Sequence, residues 1–135
     1  LGAGFNLEEV TRNILLSDLR INKHELFIEI QQTLAKQYDI WVTQTRDASQ
    51  VKNIVESLYH HAFVLTEQHA DDVSASVQNR LENYLNSYFT SKFIPDEVKL
   101  HEQLDRLERF LKQDEELSEM IEISALTEMI KNRMK

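Results

Sequence analysis

Apolar residues recur every three or four positions along most of the chain, which is the period of an amphipathic α-helix. The segment from 23 to 43 shows the pattern clearly, since Leu26, Ile30 and Leu34 follow one another at intervals of four. Similar stripes continue to the end of the sequence. They predict six helices, over about 7–20, 23–43, 48–68, 72–92, 96–112 and 114–133.

Two short stretches near the start of the chain share one arrangement of residues. In F-N-L-E-E-V and I-N-K-H-E-L, an apolar residue is followed by Asn, two spacers, Glu and a second apolar residue. Asn6 and Asn22 can accept hydrogen bonds from the exposed amides of a first helical turn, while Glu9 and Glu25 reach back to the cap. The repeat therefore predicts helix starts near residues 7 and 23, and not a binding motif.

The stretch from 48 to 91 contains no Gly or Pro, so its apolar stripe is compatible with one long helix or with two. A single helix of this length would extend about 66 Å at 1.5 Å per residue and would suggest a dimeric rod. We favour a break at Asp71 and Asp72, because either residue can cap a second helix. Asp47 with Gln50 forms a further cap-like pair at the start of the first helix.

Pro95 marks the clearest boundary, because proline disfavours helical geometry in the residue before it and fits the first turn of a new helix. The helix that follows and a last one capped by Asp114 carry two apolar stripes with dense charge between them. They could form a hairpin against the earlier helices or pair with a second copy of the chain. The apolar residues expected to form such an interaction face are Leu104, Leu107, Leu111, Leu117, Ile121 and Met129.

Glycine and proline usage favours an all-α fold. The chain has 135 residues, both glycines (Gly2 and Gly4) lie among the first four, and Pro95 is the only proline. The tight turns of a β-rich fold would require glycine or asparagine–glycine pairs that the sequence lacks. We expect residues 1–5 to be a linker and 6–135 to form one domain, an antiparallel bundle of five or six helices. Within it, 96–135 could act as a helical hairpin or dimerisation subunit.

The charge balance argues against nucleic acid. The formal net charge is −8, and residues 1–46, 47–94 and 95–135 are each acidic. A nucleic-acid-binding face needs clustered Lys and Arg. No apolar run approaches the roughly 18 residues needed to span a bilayer. We therefore expect no nucleic acid contact by this domain, no membrane insertion and a cytoplasmic location.

The five histidines are the metal-ligand candidates of a chain that contains no cysteine. Two follow a carboxylate by four residues, in the pairs Glu56–His60 and Glu97–His101, and Asp105 lies four residues beyond His101. This spacing places each pair on one helix face. It departs from the Glu-x-x-His spacing of carboxylate-bridged di-iron bundles. We interpret the pairs as surface ion pairs rather than a metal site, and we expect no cofactor.

Motifs for catalysis are weak. No glycine lies beyond residue 4, which excludes the glycine-rich loops that bind phosphates and dinucleotides. The serines do not occur in a strand-to-helix elbow beside a recognisable base. We therefore do not expect an enzyme.

Aromatic residues are concentrated at the end of the second predicted helix and ahead of Pro95. Core packing is the simpler interpretation, but the same side chains could line an apolar pocket for a small molecule. The residues of this possible ligand pocket are Tyr38, Trp41, Tyr59, Phe63, Tyr84 and Tyr88.

Together these patterns predict a non-catalytic regulatory or protein–protein interaction domain, part of a larger chain and homodimeric. An alternative is the helical ligand-sensing effector domain of a regulator, in which the aromatic residues line the ligand pocket. A less favoured alternative is a His/carboxylate metal-binding bundle.

Overall fold

Six α-helices make up the described part of the computed structural model, which covers residues 12–13 and 23–135. They are α1 (His24–Gln44), α2 (Asp47–Glu67), α3 (Val73–Tyr88), α4 (Glu97–Gln113), α5 (Glu115–Met120) and α6 (Ile123–Arg133). These residues contain no strand, which confirms the prediction of an all-α bundle. Residues 12–13 are helical, whereas the rest of the helix predicted over 7–20 and the caps Asn6 and Asn22 lie outside the described residues.

The second helix, α2, is the central element of the bundle. It packs against α1, α3, α4 and α5, while α6 packs back against α4 and α3. Of its 21 residues, 12 are buried. Because neighbours cover α2 on several sides, its buried residues are not confined to one apolar stripe and include polar side chains. Across 12–13 and 23–135, no helix combines the length and apolar character required to cross a membrane.

The main core combines apolar side chains from all six helices. It contains the residues that the sequence suggested as an interaction face: five are buried, and the sixth, Met129, packs at the core's edge. The five buried residues are Leu104, Leu107, Leu111, Leu117 and Ile121. That prediction is corrected, because α6 folds back on α4 and the two stripes cover each other within a single chain.

A break between α2 and α3 confirms the two-helix alternative for 48–91. At the end of α2 the amide of His69 donates to the carbonyl of Thr66 (3.1 Å), and the amide of Ala70 donates to that of Leu65 (2.9 Å). This pair of bonds is the Schellman arrangement, which places one residue in the left-handed region and usually uses glycine there. Here the residue is His69, with φ of 54°. Asp72 then caps α3 by accepting from the amide of Ala75 at 3.0 Å.

The helix predicted over 114–133 is two helices, and this expectation is corrected. Asp114 caps α5 as predicted, accepting from the amide of Leu117 at 3.1 Å. The chain then becomes extended at Ile121, whose side chain enters the core. The amide of Glu122 donates to the Ser74 hydroxyl of α3 at 3.3 Å instead of to a helical carbonyl. Burial of Ile121 and this bond to α3 together account for the interruption.

Two predicted helix starts also differ in detail. The first described helix begins at His24, with Lys23 in the N-cap position and without a side-chain capping bond. Gln50 does not complete a cap with Asp47. Its side-chain amide is buried and donates to the carbonyl of Val42 at 3.0 Å, which ties the start of α2 to the end of α1.

Substitution of His69 by valine is expected to lower the free energy of unfolding by about 1–2 kcal/mol, because a β-branched residue is disfavoured in the left-handed region. His69→Gly should leave the stability unchanged or raise it, since glycine adopts this conformation without steric cost. Urea denaturation followed by circular dichroism measures both variants. An equal loss in the two would contradict the backbone explanation.

Candidate functional site

Two rows of polar side chains run along α2, and they face different neighbours. Glu56 and His60 form one row, and Ser57 and His61 form the other. Residues four apart share a helix face, whereas consecutive residues diverge by about 100°. The Glu56 row is buried towards Arg12 and Gln31. The Ser57 row meets α1 and α3 at an open groove.

The groove lies at the junction of α1, α2 and α3. It comprises two adjoining cavities of about 330 Å³ and about 400 Å³, and both are bordered by Asp39, His61 and Arg80. The smaller cavity is otherwise lined by hydroxyl and amide groups. The larger one adds an apolar wall. The further lining residues are Ser76, Asn79, Asn83 and Tyr84 in the first, and Gln32, Ala35, Lys36, Val64, Leu65 and Gln68 in the second.

A chain of hydrogen bonds supports one wall of the groove. The phenol of Tyr84 donates to Oδ1 of Asp39 at 2.7 Å. Its single proton is then committed, so the fully buried hydroxyl of Ser57 donates to the Tyr84 oxygen at 2.6 Å. Burial and the bond to Asp39 raise the pKa of Tyr84 to about 12. The chain therefore keeps Tyr84 as a neutral donor and holds Asp39 at the mouth of the groove.

Arg80 is only loosely paired across the groove. Its Nη1 lies 3.8 Å from Oδ1 of Asp39, and the two side chains are 30% and 51% exposed. An ion pair of this length and exposure contributes little to stability. The guanidinium can therefore exchange Asp39 for another anion at small cost.

His61 occupies the floor shared by the two cavities, one turn beyond Ser57 on α2. Burial, and then the positive charge of Arg80, lower the pKa of His61 to about 4, although Asp39 acts in the opposite direction. The imidazole is consequently neutral at pH 7. A base with so low a pKa is weak, so the groove is better suited to binding than to proton transfer.

The other polar row of α2 forms a buried ionic cluster around Arg12. The guanidinium of Arg12 donates to Oε1 of Glu56 at 2.6 Å and lies 3.4 Å from Oδ2 of Asp114. It also stacks 3.5 Å from the ring centroid of Tyr59, whose hydroxyl donates to Oε2 of Glu116 at 2.6 Å. The side chain of Arg12 therefore joins α2 to the turn that leads into α5.

His60 connects this cluster to α1. Its Nδ1 donates to Oε1 of Gln31 at 2.5 Å, and its Nε2 lies 3.5 Å from Oε2 of Glu56, at the limit for a hydrogen bond. Burial alone would raise the pKa of Glu56, but hydrogen bonding from His60 and the charge of Arg12 lower it overall. The carboxylate of Glu56 is therefore held in its charged form inside the protein.

The pairs considered as metal ligands are separated in the fold. Glu56 and His60 are buried, so they are not the surface ion pair that their spacing suggested. Glu97, His101 and Asp105 lie exposed on α4. Within 12–13 and 23–135, no three His, Cys, Asp or Glu side chains come together in a way that could hold a metal ion.

The six aromatic residues of the predicted ligand pocket fall into separate packing groups. Tyr59 and Phe63 pack with Phe27 in a second apolar cluster. Tyr38 stacks on His60 and meets Trp41 edge-on, and Trp41 itself is 39% exposed. Tyr84 packs against Tyr88.

This arrangement corrects the prediction of a single aromatic pocket, because the rings pack against one another and against other core residues. Of the six, only Tyr84 borders the groove. Most of the groove residues that the sequence did not single out are polar, and they come from α1, α2 and α3. Their one signal was the spacing of Ser57 and His61 on α2, which is too common to identify a site.

Comparison with known protein families, with curated protein sequences and with solved structures found no significant match for the chain. The groove and the polar faces of α2 are therefore the features from which a function can be inferred.

Removal of the buried cation should destabilise the fold strongly. Arg12→Met is expected to lower the free energy of unfolding by about 3 kcal/mol or more, because the buried carboxylates of Glu56 and Asp114 would lose the guanidinium that compensates their charge. Arg109→Met is the matched control, since the ion pair of Arg109 with Asp105 is more than half exposed and should be worth less than about 1 kcal/mol. Chemical denaturation of both variants measures the difference. Equal losses would contradict the role given to Arg12.

The low pKa of His61 predicts a pH dependence of stability. An unfolded histidine titrates near pH 6.5 and the folded one near pH 4. The unfolded chain therefore binds the extra proton between these values, and the contribution of His61, fully present above pH 6.5, is lost as the pH falls towards 4. His61→Gln should remove this part of the slope when unfolding is measured from pH 7 to pH 4. If the free energy of unfolding of the wild type and of the variant depended on pH in the same way, His61 would not be the group responsible.

Proposed function

We propose that this protein is a non-catalytic regulatory domain, part of a larger cytoplasmic chain, whose groove binds a small organic acid. The observation that carries the proposal is the pair of cations, Lys36 and Arg80, beside an apolar wall in a groove large enough for a small ligand. Ligand sites are typically concave, of about 300–1,000 Å³, and combine apolar walls with a few polar groups.

The charge of the groove supports an anionic ligand. Its charged lining residues are Lys36, Arg80 and Asp39, and His61 is neutral, so the groove carries about one positive charge on a chain of formal net charge −8. The guanidinium of Arg80 offers donors in a planar fork that matches a carboxylate. A carboxylate that reaches Arg80 would replace Asp39 as the ion-pair partner of Arg80, while Asp39 keeps its hydrogen bond from Tyr84.

The apolar wall supports a ligand with a hydrocarbon body. Ala35 and Val64 are 8% and 7% exposed, and with Leu65 they form a surface beside the two cations. The amide side chains of Gln32 and Gln68 border the same cavity and can bond to further polar groups of the ligand. This combination favours an organic acid over a bare inorganic anion.

The position of the groove explains how binding could regulate. Asp39 belongs to α1 and Arg80 to α3, and their weak ion pair spans the groove between the two helices. A ligand that binds Arg80 and packs against Ala35 would change how firmly α1 and α3 are held together. Such a change can be transmitted to whatever is attached to either helix.

Titration of the ¹⁵N-labelled protein with hexanoate tests the proposal, with hexan-1-ol and inorganic phosphate as the matched controls. Hexanoate should shift the amide resonances around His61 and Arg80 with a dissociation constant of about 1 mM, as expected for a probe of this size. The alcohol lacks the charge and phosphate lacks the apolar body, so both should bind at least about tenfold more weakly.

Arg80→Gln should abolish the hexanoate shifts, because it removes the cation and keeps a shorter polar side chain. Arg109→Gln, an exposed change on α4, should leave them unchanged. The proposal is wrong if hexanoate and hexan-1-ol give the same shifts, or if Arg80→Gln binds hexanoate as the wild type does.

A further inference from the structure

Among the described residues that line the groove, Asp39 is the only acidic one, and it borders both cavities. Its Oδ1 lies 3.8 Å from Nη1 of Arg80, the cation that we expect to bind a ligand carboxylate. The phenol of Tyr84 donates to the same oxygen at 2.7 Å. Both polar contacts that Asp39 makes within 12–13 and 23–135 therefore use Oδ1, and Oδ2 is left for a donor on a ligand.

A ligand whose only charge is a carboxylate does not suit Asp39. When this carboxylate pairs with Arg80, it becomes a second negative charge close to Asp39, and both anions compete for one guanidinium. Like charges at such short range repel each other. Turning Asp39 away would break its hydrogen bond from Tyr84. A positive group on the ligand, next to its carboxylate, would remove this repulsion.

The α-amino group of an amino acid is such a positive group. It is attached to the same carbon atom as the carboxylate, so the two charges of the ligand are close together. Asp39 on α1 and Arg80 on α3 are a pair of opposite charges that are also close together. The ligand ammonium can therefore pair with Asp39 while the ligand carboxylate pairs with Arg80, and both contacts are charge-assisted hydrogen bonds.

The smaller cavity provides further acceptors for the ammonium. An ammonium group has three donors, of which Asp39 can accept one. Ser76, Asn79 and Asn83 line the same cavity, and their side-chain oxygens can accept the others. His61 also borders this cavity and is neutral at pH 7, so it adds no positive charge that would repel the ammonium.

The larger cavity suits an apolar side chain. It adjoins the smaller cavity, and its wall includes Ala35, Val64 and Leu65. An amino acid whose charged groups are held at Asp39 and Arg80 can extend its side chain along this wall. Burial of that side chain adds to the affinity. The groove therefore offers a separate position to the ammonium, to the carboxylate and to the hydrocarbon part of one ligand.

We propose that the ligand of the groove is an α-amino acid with an apolar side chain, whose ammonium binds Asp39 and whose carboxylate binds Arg80. This assignment rests on the proposed function, because it names the class of organic acid that the groove binds. Asp39 is then the residue that selects amino acids over simple carboxylic acids.

L-norleucine is the matched probe, because it is hexanoate with an ammonium group added to the carbon beside the carboxylate. Titration of the ¹⁵N-labelled protein at pH 7 compares it with hexanoate and with hexan-1-amine, through the amide resonances around His61 and Arg80. Norleucine should bind about tenfold more tightly than hexanoate, since it adds a charge-assisted bond to Asp39. Hexan-1-amine lacks the carboxylate that pairs with Arg80 and should bind about tenfold more weakly than norleucine.

Asp39→Asn tests the role of the acidic side chain. The substitution removes the negative charge and keeps an oxygen that can accept from Tyr84. Norleucine should lose its advantage over hexanoate, whereas hexanoate should bind about threefold more tightly because the like charge is gone. A merely structural effect would weaken both ligands alike. Asp105→Asn, which alters an exposed carboxylate on α4, is the control and should leave norleucine about tenfold tighter than hexanoate.

The proposal is overturned if norleucine binds no more tightly than hexanoate, or if it keeps its advantage in Asp39→Asn. In either case, hexanoate shifts that Arg80→Gln abolishes would leave the proposed function intact. If neither hexanoate nor norleucine shifts the resonances around the groove, the proposed function and the choice of an amino acid are both wrong.

Discussion

The polar groups that α2 carries into the interior need partners there, and this constraint limits how the neighbouring helices can be placed. A buried polar group without a hydrogen bond costs several kcal/mol in an apolar medium, and a buried charge costs more. Glu56 meets Arg12, Ser57 meets Tyr84, and the amide of Gln50 meets a carbonyl at the end of α1. These bonds are directional, so they restrict the relative orientations of the helices more narrowly than apolar packing alone would.

The cluster around Arg12 shows how far this constraint extends along the chain. Its guanidinium joins carboxylates that lie 44 and 102 residues further on, and it covers the ring of Tyr59. Asp114 serves both the cluster and the cap of α5. Glu116, which belongs to the acidic run near residue 115, accepts a hydrogen bond from the hydroxyl of Tyr59. Part of this acidic run therefore makes contacts within the fold. The cluster holds Arg12 and the α4–α5 turn against the same helix.

Most of the secondary structure could be predicted from the sequence, because helical periodicity and caps such as Asp72 and Asp114 are local signals. The interruption at Ile121 could not, because it depends on the bond from the amide of Glu122 to Ser74, 48 residues earlier in the chain. The groove was missed for the same reason. Ser57 and His61 are visible as a pair four residues apart, but Tyr84 beside Ser57, and Asp39 and Arg80 beside His61, are brought there only by the way three helices cross. Likewise, the spacing of Glu56 and His60 shows that they share one face of α2, but it does not show which residues of other helices cover that face.

The two polar rows of α2 have a consequence for how this chain can vary. One residue inserted between Leu58 and Tyr59 would rotate everything beyond it by about 100°. Tyr59 would then take the place of His60 beside Gln31, Arg12 would lose its ring contact, and His61 would leave the groove. Related chains, once aligned, should accordingly show substitutions along the exposed side of α2 but no gaps between Glu56 and His61.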